Sequence, residues 1–281
     1  MRCLLICVFC ALAATGGIRP AENPRPADGV REKPVPGLRT LRNFLLTALQ
    51  PAGRTLYVWG GGWNAEDTGA GREALSIGVS PRWERFFAAQ GAGYDYKNFR
   101  YQIHDGLDCS GFVGWAVFNT LHSEIPSPLP VLPGAGVPGY VLKAATCARR
   151  FADAGWGEFT PAEVVRDWRP GDIMSMPGHV WIAVGGCPDG SVVLLHSSPP
   201  GVRLCGTLLP DGTRSAAVEL AETYMRKYFG GFFARYLDCA KGHGYLTASA
   251  RMRWHAVFLS DPDVLADAGA ATVLRVLFGE K

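Results

Sequence analysis

The apolar positions of this chain follow two periods, and the boundary between them divides the sequence. Phe112, Val113, Ala116, Val117 and Leu121 recur at i, i+1, i+4, i+5 and i+9, one face of a helix. Asp108 is a good N-cap residue, so this helix is predicted to open at Cys109. Helical spacing also marks 38–49 (Leu41, Phe44, Leu45, Leu49), 81–89, 139–155, 215–228 and 264–278. From Ile173 onward the apolar runs are short and continuous, as in buried strands. Ile173 to Met176 follows the turn Arg169-Pro170-Gly171-Asp172. Val180 to Val184 and Ser191 to His196 flank Gly185-Gly186-Cys187-Pro188-Asp189-Gly190, which predicts an antiparallel hairpin. Val202 to Cys205 follows Pro199-Pro200-Gly201 as a third strand, and 254–259 offers a last one. Strands gathered after a leading helix predict a layered α+β fold.

The polar stretches set the limits of the domain. The segment 17–37 is rich in Pro, Gly and charge and reads as a tether that cannot build a core. Before it, Met1-Arg2 and an apolar run from Cys3 to Ala14 read as a signal peptide over 1–16, too short to span a bilayer. The expected organisation is therefore a signal peptide, a tether and one domain over 38–281. That domain carries an insert at 64–104 and a helical C-terminal extension. The insert holds Tyr94, Tyr96, Phe99 and Tyr101, aromatic residues suited to walling a cleft.

Charge narrows the partners. A net charge of +3 without any basic run gives no electrostatic case for nucleic acid. Of eight cysteines, Cys3, Cys7 and Cys10 fall in the signal segment. The remaining Cys109, Cys147, Cys187, Cys205 and Cys239 are odd in number, which leaves at least one thiol free in an exported chain. Cys109 is the candidate, and adjacent strands could bring Cys187 and Cys205 within disulfide reach.

The chemistry is concentrated around Cys109. A thiol at a helix N-terminus faces unpaired N–H groups and the positive end of the dipole, which favours thiolate. A thiol nucleophile needs a group that takes its proton and returns it to a leaving amine, and a third group that orients that base. His179 and His196, each at one end of a predicted hairpin strand, suit these roles. His104 and His122 read as surface or capping histidines, and an imidazolium at the end of the Cys109 helix would suit its dipole. Asp172 reads as a structural acid of its own turn.

Tyr57-Val58-Trp59-Gly60-Gly61, Asp108-Cys109-Ser110-Gly111-Phe112, Gly171-Asp172-Ile173, His179-Val180 and His196 occur in an order that resembles the NlpC-type cell-wall cysteine peptidases. The resemblance covers roughly residues 40 to 200. Residues 64–104 lengthen the link between Trp63 and Asp105, and the stretch after Cys205 has no counterpart. The resemblance implies a papain-like α+β fold, with an antiparallel sheet packed on an N-terminal catalytic helix. It also implies a secreted or wall-associated endopeptidase acting on peptidoglycan stem peptides, monomeric, without cofactor or metal. Cys109 would be the nucleophile, His179 the base and His196 its orienter. Tyr57, Trp59, Asp108 and Ser110 would shape the substrate and oxyanion pockets.

Three alternatives stand beside this reading. The same triad would serve an N-acylmuramyl amidase or a transpeptidase. A chain with a decayed triad would be a wall-binding protein. Cys109, His179 and His196 also have the ligand types of a zinc site, though without the close Cys or His pairs usual in one.

Overall fold

The structure is a computed structural model, and it describes residues 32–63, 76–98, 103–124 and 140–280. The signal segment, most of the tether, Phe99 and Tyr101 lie outside the described residues. Eight α-helices and seven strands are described. The helices are α1 (Leu41–Leu49), α2 (Pro81–Ala89), α3 (Cys109–Leu121), α4 (Cys147–Asp153), α5 (Ala216–Tyr228), α6 (Gly230–Phe233), α7 (Gly244–Thr247) and α8 (Ala270–Leu277). The strands are β1 (Gly157–Thr160), β2 (Ile173–Met176), β3 (His179–Gly186), β4 (Val192–Ser198), β5 (Gly201–Thr207), β6 (Ala240–Lys241) and β7 (Ala250–Trp254). They form one mixed α+β unit around a seven-stranded sheet of order β1-β7-β2-β3-β4-β5-β6.

The centre of this arrangement is α3. Its apolar spacing predicts one buried face, yet all 13 of its residues are buried. A helix that is apolar all round belongs inside a core, and α3 packs against β3 and β4 on one side and α1 on another. Its outer surface is covered by α2. Trp83 of α2 is fully buried edge-on to Trp115, with ring centroids 6.1 Å apart. Gly78, just before α2, exchanges bonds with α3: its carbonyl accepts from Trp115 Nε1 at 3.1 Å, and its N–H donates to Asn119 Oδ1 at 2.7 Å. The described part of the insert thus shields the helix.

The hairpin β3–β4 and the strand β5 form as predicted, with Ile182 opposite Leu195 and Leu194 opposite Cys205. Four expectations are corrected. The sheet is not wholly antiparallel, because the two-residue β6 pairs parallel to β5. The last strand is β7 at 250–254, not 254–259; residues 255–259 turn, with Phe258 and Leu259 both bonded to the His255 carbonyl. Arg251 and Arg253 interrupt the apolar pattern of β7, but both find carboxylates, bonding Asp167 and Asp172. The helix expected over 139–155 is only α4, preceded by a 3-10 turn at Ala144–Thr146 and ended by Gly155 at φ +82°.

The fourth correction concerns the part after Cys205, which is no helical appendage. Its strand β7 lies inside the sheet between β1 and β2, and α8 packs on β3. The end of the expected tether is also held: Asn43 of α1 bonds Val35 N–H through Oδ1 and the Val35 and Leu38 carbonyls through Nδ2. Among the described residues, no helix is long and apolar enough to cross a membrane.

Candidate active site

The start of α3 is held by a small polar cluster. Asp108 caps the helix, its Oδ1 accepting from the Gly111 N–H at 2.7 Å and from Ser110 Oγ at 2.8 Å. Its Oδ2 accepts from Trp63 Nε1 at 2.9 Å. The backbone beneath is equally tight. Asp108 N–H donates to the Gly61 carbonyl at 2.9 Å, and a Cβ on Gly111 would stand 2.0 Å from that same oxygen. Only glycine at 111 lets the loop and the helix approach this closely.

Cys109 lies at this junction, facing β3. The Gly178 carbonyl is 4.0 Å from its sulfur, and the Val180 N–H also points to the sulfur. The residue between those two is His179. Across the hairpin, His179 Nε2 and His196 Nδ1 are 2.9 Å apart, and His196 Nε2 lies 3.2 Å from Ser198 Oγ. The structure therefore gathers Cys109, His179 and His196 at one place, from α3, the first residue of β3 and the middle of β4.

The protonation states differ from those the helix dipole suggests. Burial pushes the Cys109 thiol up to about 12, with the Asp108 charge adding to it, and this outweighs the N–H groups of Cys109, Ser110 and Val180. Burial also brings His179 down to about 4, aided by Lys241 and Arg203. His196 is held well below its ordinary value by its burial, by His179 and by the same two cations. At neutral pH the resting centre is a thiol beside a neutral imidazole, not a thiolate–imidazolium pair.

Tyr57 and Trp59 lie just before the glycine run Gly60-Gly61-Gly62. Tyr57 N–H donates to the Pro200 carbonyl at 2.8 Å, and its ring lies edge-on to Tyr96 with centroids 5.0 Å apart. Trp59 is 62 % exposed and belongs to the surface. Tyr94 donates from its hydroxyl to the Tyr57 carbonyl at 2.7 Å. Beside Tyr57, a cavity of about 340 Å³ is lined by Tyr94, Asp95 and Tyr96 of the insert and by Pro199, Pro200 and Tyr236.

Two neighbours had no signal in the sequence. Trp63, after the glycine run, supplies the indole N–H on Asp108. Tyr245 of α7 lies against His179, ring centroids 5.4 Å apart, and against His196 at 6.1 Å. It comes from the stretch after Cys205, where no motif points to it. His122 ends α3, but its Nε2 meets the Tyr140 hydroxyl at 2.6 Å and burial lowers its pKa, so the expected imidazolium is not favoured. Asp172 is structural, as predicted: Arg253 grips both its oxygens at 2.9 and 2.7 Å. Cys187 and Cys205 are not brought together. The strand β4 separates β3 from β5, two strand spacings amount to about 9–10 Å, and both thiols are free. No group of three His, Cys, Asp or Glu side chains among the described residues could hold a metal ion.

Compared with known proteins, the chain matches no family model, no curated protein and no solved structure.

Proposed function

We propose that the chain is a cysteine hydrolase of papain-like design that cleaves amide bonds in peptidoglycan stem peptides. The observation that carries the chemical part is that the backbone on either side of His179 meets the Cys109 sulfur, at the buried start of α3, while His179 Nε2 meets His196 Nδ1. The substrate class rests on the likeness of the Asp108-Cys109-Ser110-Gly111 and His179, His196 motifs to the NlpC-type peptidases. The apolar N-terminal run supports export to the wall.

The neutral resting state sets the course of the reaction. As Cys109 Sγ attacks the scissile carbonyl carbon, His179 takes the thiol proton at Nδ1, because its Nε2 is engaged by His196. His196 and Ser198 hold the imidazole in line and share its developing charge. The Cys109 N–H, at the dipole-positive end of α3, stabilises the oxyanion. His179 then gives the proton to the departing amine, leaving a thioester on Cys109. Water, deprotonated by His179, attacks that thioester. The carboxylic acid leaves and the proton returns to sulfur.

The test is mass spectrometry of fragments released from purified peptidoglycan by the wild type and by Cys109→Ala. Stem-peptide fragments that appear only with the wild type are expected. Equal digestion by both would overturn the nucleophile. Release of an intact stem from the muramyl sugar would turn the endopeptidase into an amidase, and cross-linked products would turn it into a transpeptidase.

A further inference from the structure

Two further cysteines, Cys205 and Cys239, take no part in the candidate site. The parallel pairing of β5 with β6 puts Gly206 opposite Ala240 and Thr207 opposite Lys241. One residue earlier in the same register stand Cys205 and Cys239, and Gly206 N–H donates to the Cys239 carbonyl at 2.8 Å. Directly opposite residues of neighbouring strands lie about 4.7–4.9 Å apart. That falls inside the about 4.4–6.8 Å between Cα atoms that a disulfide requires. Both side chains are buried.

We infer that Cys205 and Cys239 are a redox-active pair that closes to a disulfide and clamps the segment 236–241 to the sheet. Three observations beyond the register support this. The two-residue β6 is the edge of the sheet, held to β5 by a short ladder, so local opening admits a small oxidant. The pair is also unequally activated. Burial alone would raise the Cys205 thiol, but the neighbouring Cys239 and the charges of Arg203 and Lys241 outweigh it and lower Cys205. Cys239, beside Cys205, is raised.

The third observation is what the clamp would hold. Arg203 bonds the Asp238 carbonyl at 3.1 Å with Nε, and the carbonyls of Ser198 and Pro199 with its other nitrogens. Asp238 and Tyr236 line the cavity beside Tyr57. A covalent tie at Cys239 would fix that wall against the turn that follows His196.

The exchange balances with a small disulfide such as oxidised glutathione. Cys205 thiolate attacks one glutathione sulfur, forming a mixed disulfide and expelling glutathione thiolate, which takes the Cys239 proton. Cys239 sulfur then displaces the second glutathione from Cys205. Two protein thiols are oxidised and one glutathione disulfide is reduced to two thiols.

The test equilibrates the full chain with oxidised and reduced glutathione, blocks free thiols and digests with trypsin without reduction. The expected product joins the peptide Leu204–Arg214 to the peptide Tyr236–Lys241, with Cys109 and Cys147 alkylated on unfolding. Recovery of both peptides as alkylated thiols across the whole range of glutathione ratios would overturn the inference. So would Cys205 joined to the peptide carrying Cys187. A Cys239→Ser variant, if it folds, should trap glutathione on Cys205. The readout is the cross-link itself, so a failure of the peptidase reading leaves it untouched.

Discussion

Two buried polar centres lie on the same sheet, and they handle charge in opposite ways. At Asp172, on the turn before β2, the carboxylate is buried but held by both nitrogens of the Arg253 fork, and Arg253 and Arg251 share Asp167 as well. At Cys109, the thiol and the two imidazoles are kept neutral: the thiol sits far above its usual pKa and both imidazoles sit below theirs. A buried charge with a well-oriented partner is a structural device. A buried neutral acid beside a buried neutral base is poised to move one proton when charge develops on a third molecule. The difference lies in the partners, not in the depth of burial.

The largest effect should come from the neutral centre. Cys109→Ala is expected to reduce peptidoglycan cleavage about 10³-fold or more, and His179→Ala about 10²–10⁴-fold, with unchanged circular dichroism. Initial rates of fragment release check both. Substitution at the charged centre should do the reverse. Asp172→Ala leaves Arg253 only the Asp167 carboxylate that it shares with Arg251 and should cost about 3 kcal/mol in urea unfolding, while the rate per folded molecule stays near that of the wild type. A loss of rate without a loss of stability in Asp172→Ala would break the comparison.

Acid should separate the centres next. Folding holds His179 and His196 neutral, so their contribution is complete above the unfolded value of about 6.5. It is lost as pH falls through the His179 value of about 4. Urea midpoints measured from pH 7 to pH 4 should fall in the wild type and fall less in His179→Asn. The thiol gives the opposite edge. Alkylation of Cys109 by iodoacetamide should climb with pH past 9, without the plateau near neutrality that a preformed thiolate would show. The smallest effect belongs to Trp63→Phe, which removes one donor from Asp108. A loss of about 1.5–3 kcal/mol is expected from thermal unfolding, with cleavage slowed less than in either triad variant.

How much of this is legible in the sequence follows from the range of each interaction. The cap at Asp108, the hairpin that carries His179 and His196, and the helix at Ala216–Tyr228 rest on local pattern, and all three form. Strand β7 escapes the pattern because its arginines look solvent-facing until Asp167 and Asp172, more than 75 residues earlier, are placed beside them. Tyr245 is hidden for the same reason, since nothing near it in sequence shows that α7 folds back onto β3. For the protonation states the local pattern points in the wrong direction. A helix dipole belongs to one helix, whereas burial depends on everything packed around α3, and at Cys109 burial outweighs the dipole.

The contact between Gly61 and Gly111 also bears on the kinds of sequence change this protein can tolerate. A Cβ at Gly61 would come 2.4 Å from the Gly106 carbonyl, and one at Gly111 would come 2.0 Å from the Gly61 carbonyl. Backbone, unlike a flexible side chain, cannot step aside. A saturation library should therefore find these two positions closed to every replacement, although neither carries a reactive atom. A neutral drift experiment would keep them fixed while surface positions such as Trp59 diverge. In a lineage of such proteins, the pair would outlast most of the chemistry around it, because the distance between loop and helix leaves room for no intermediate.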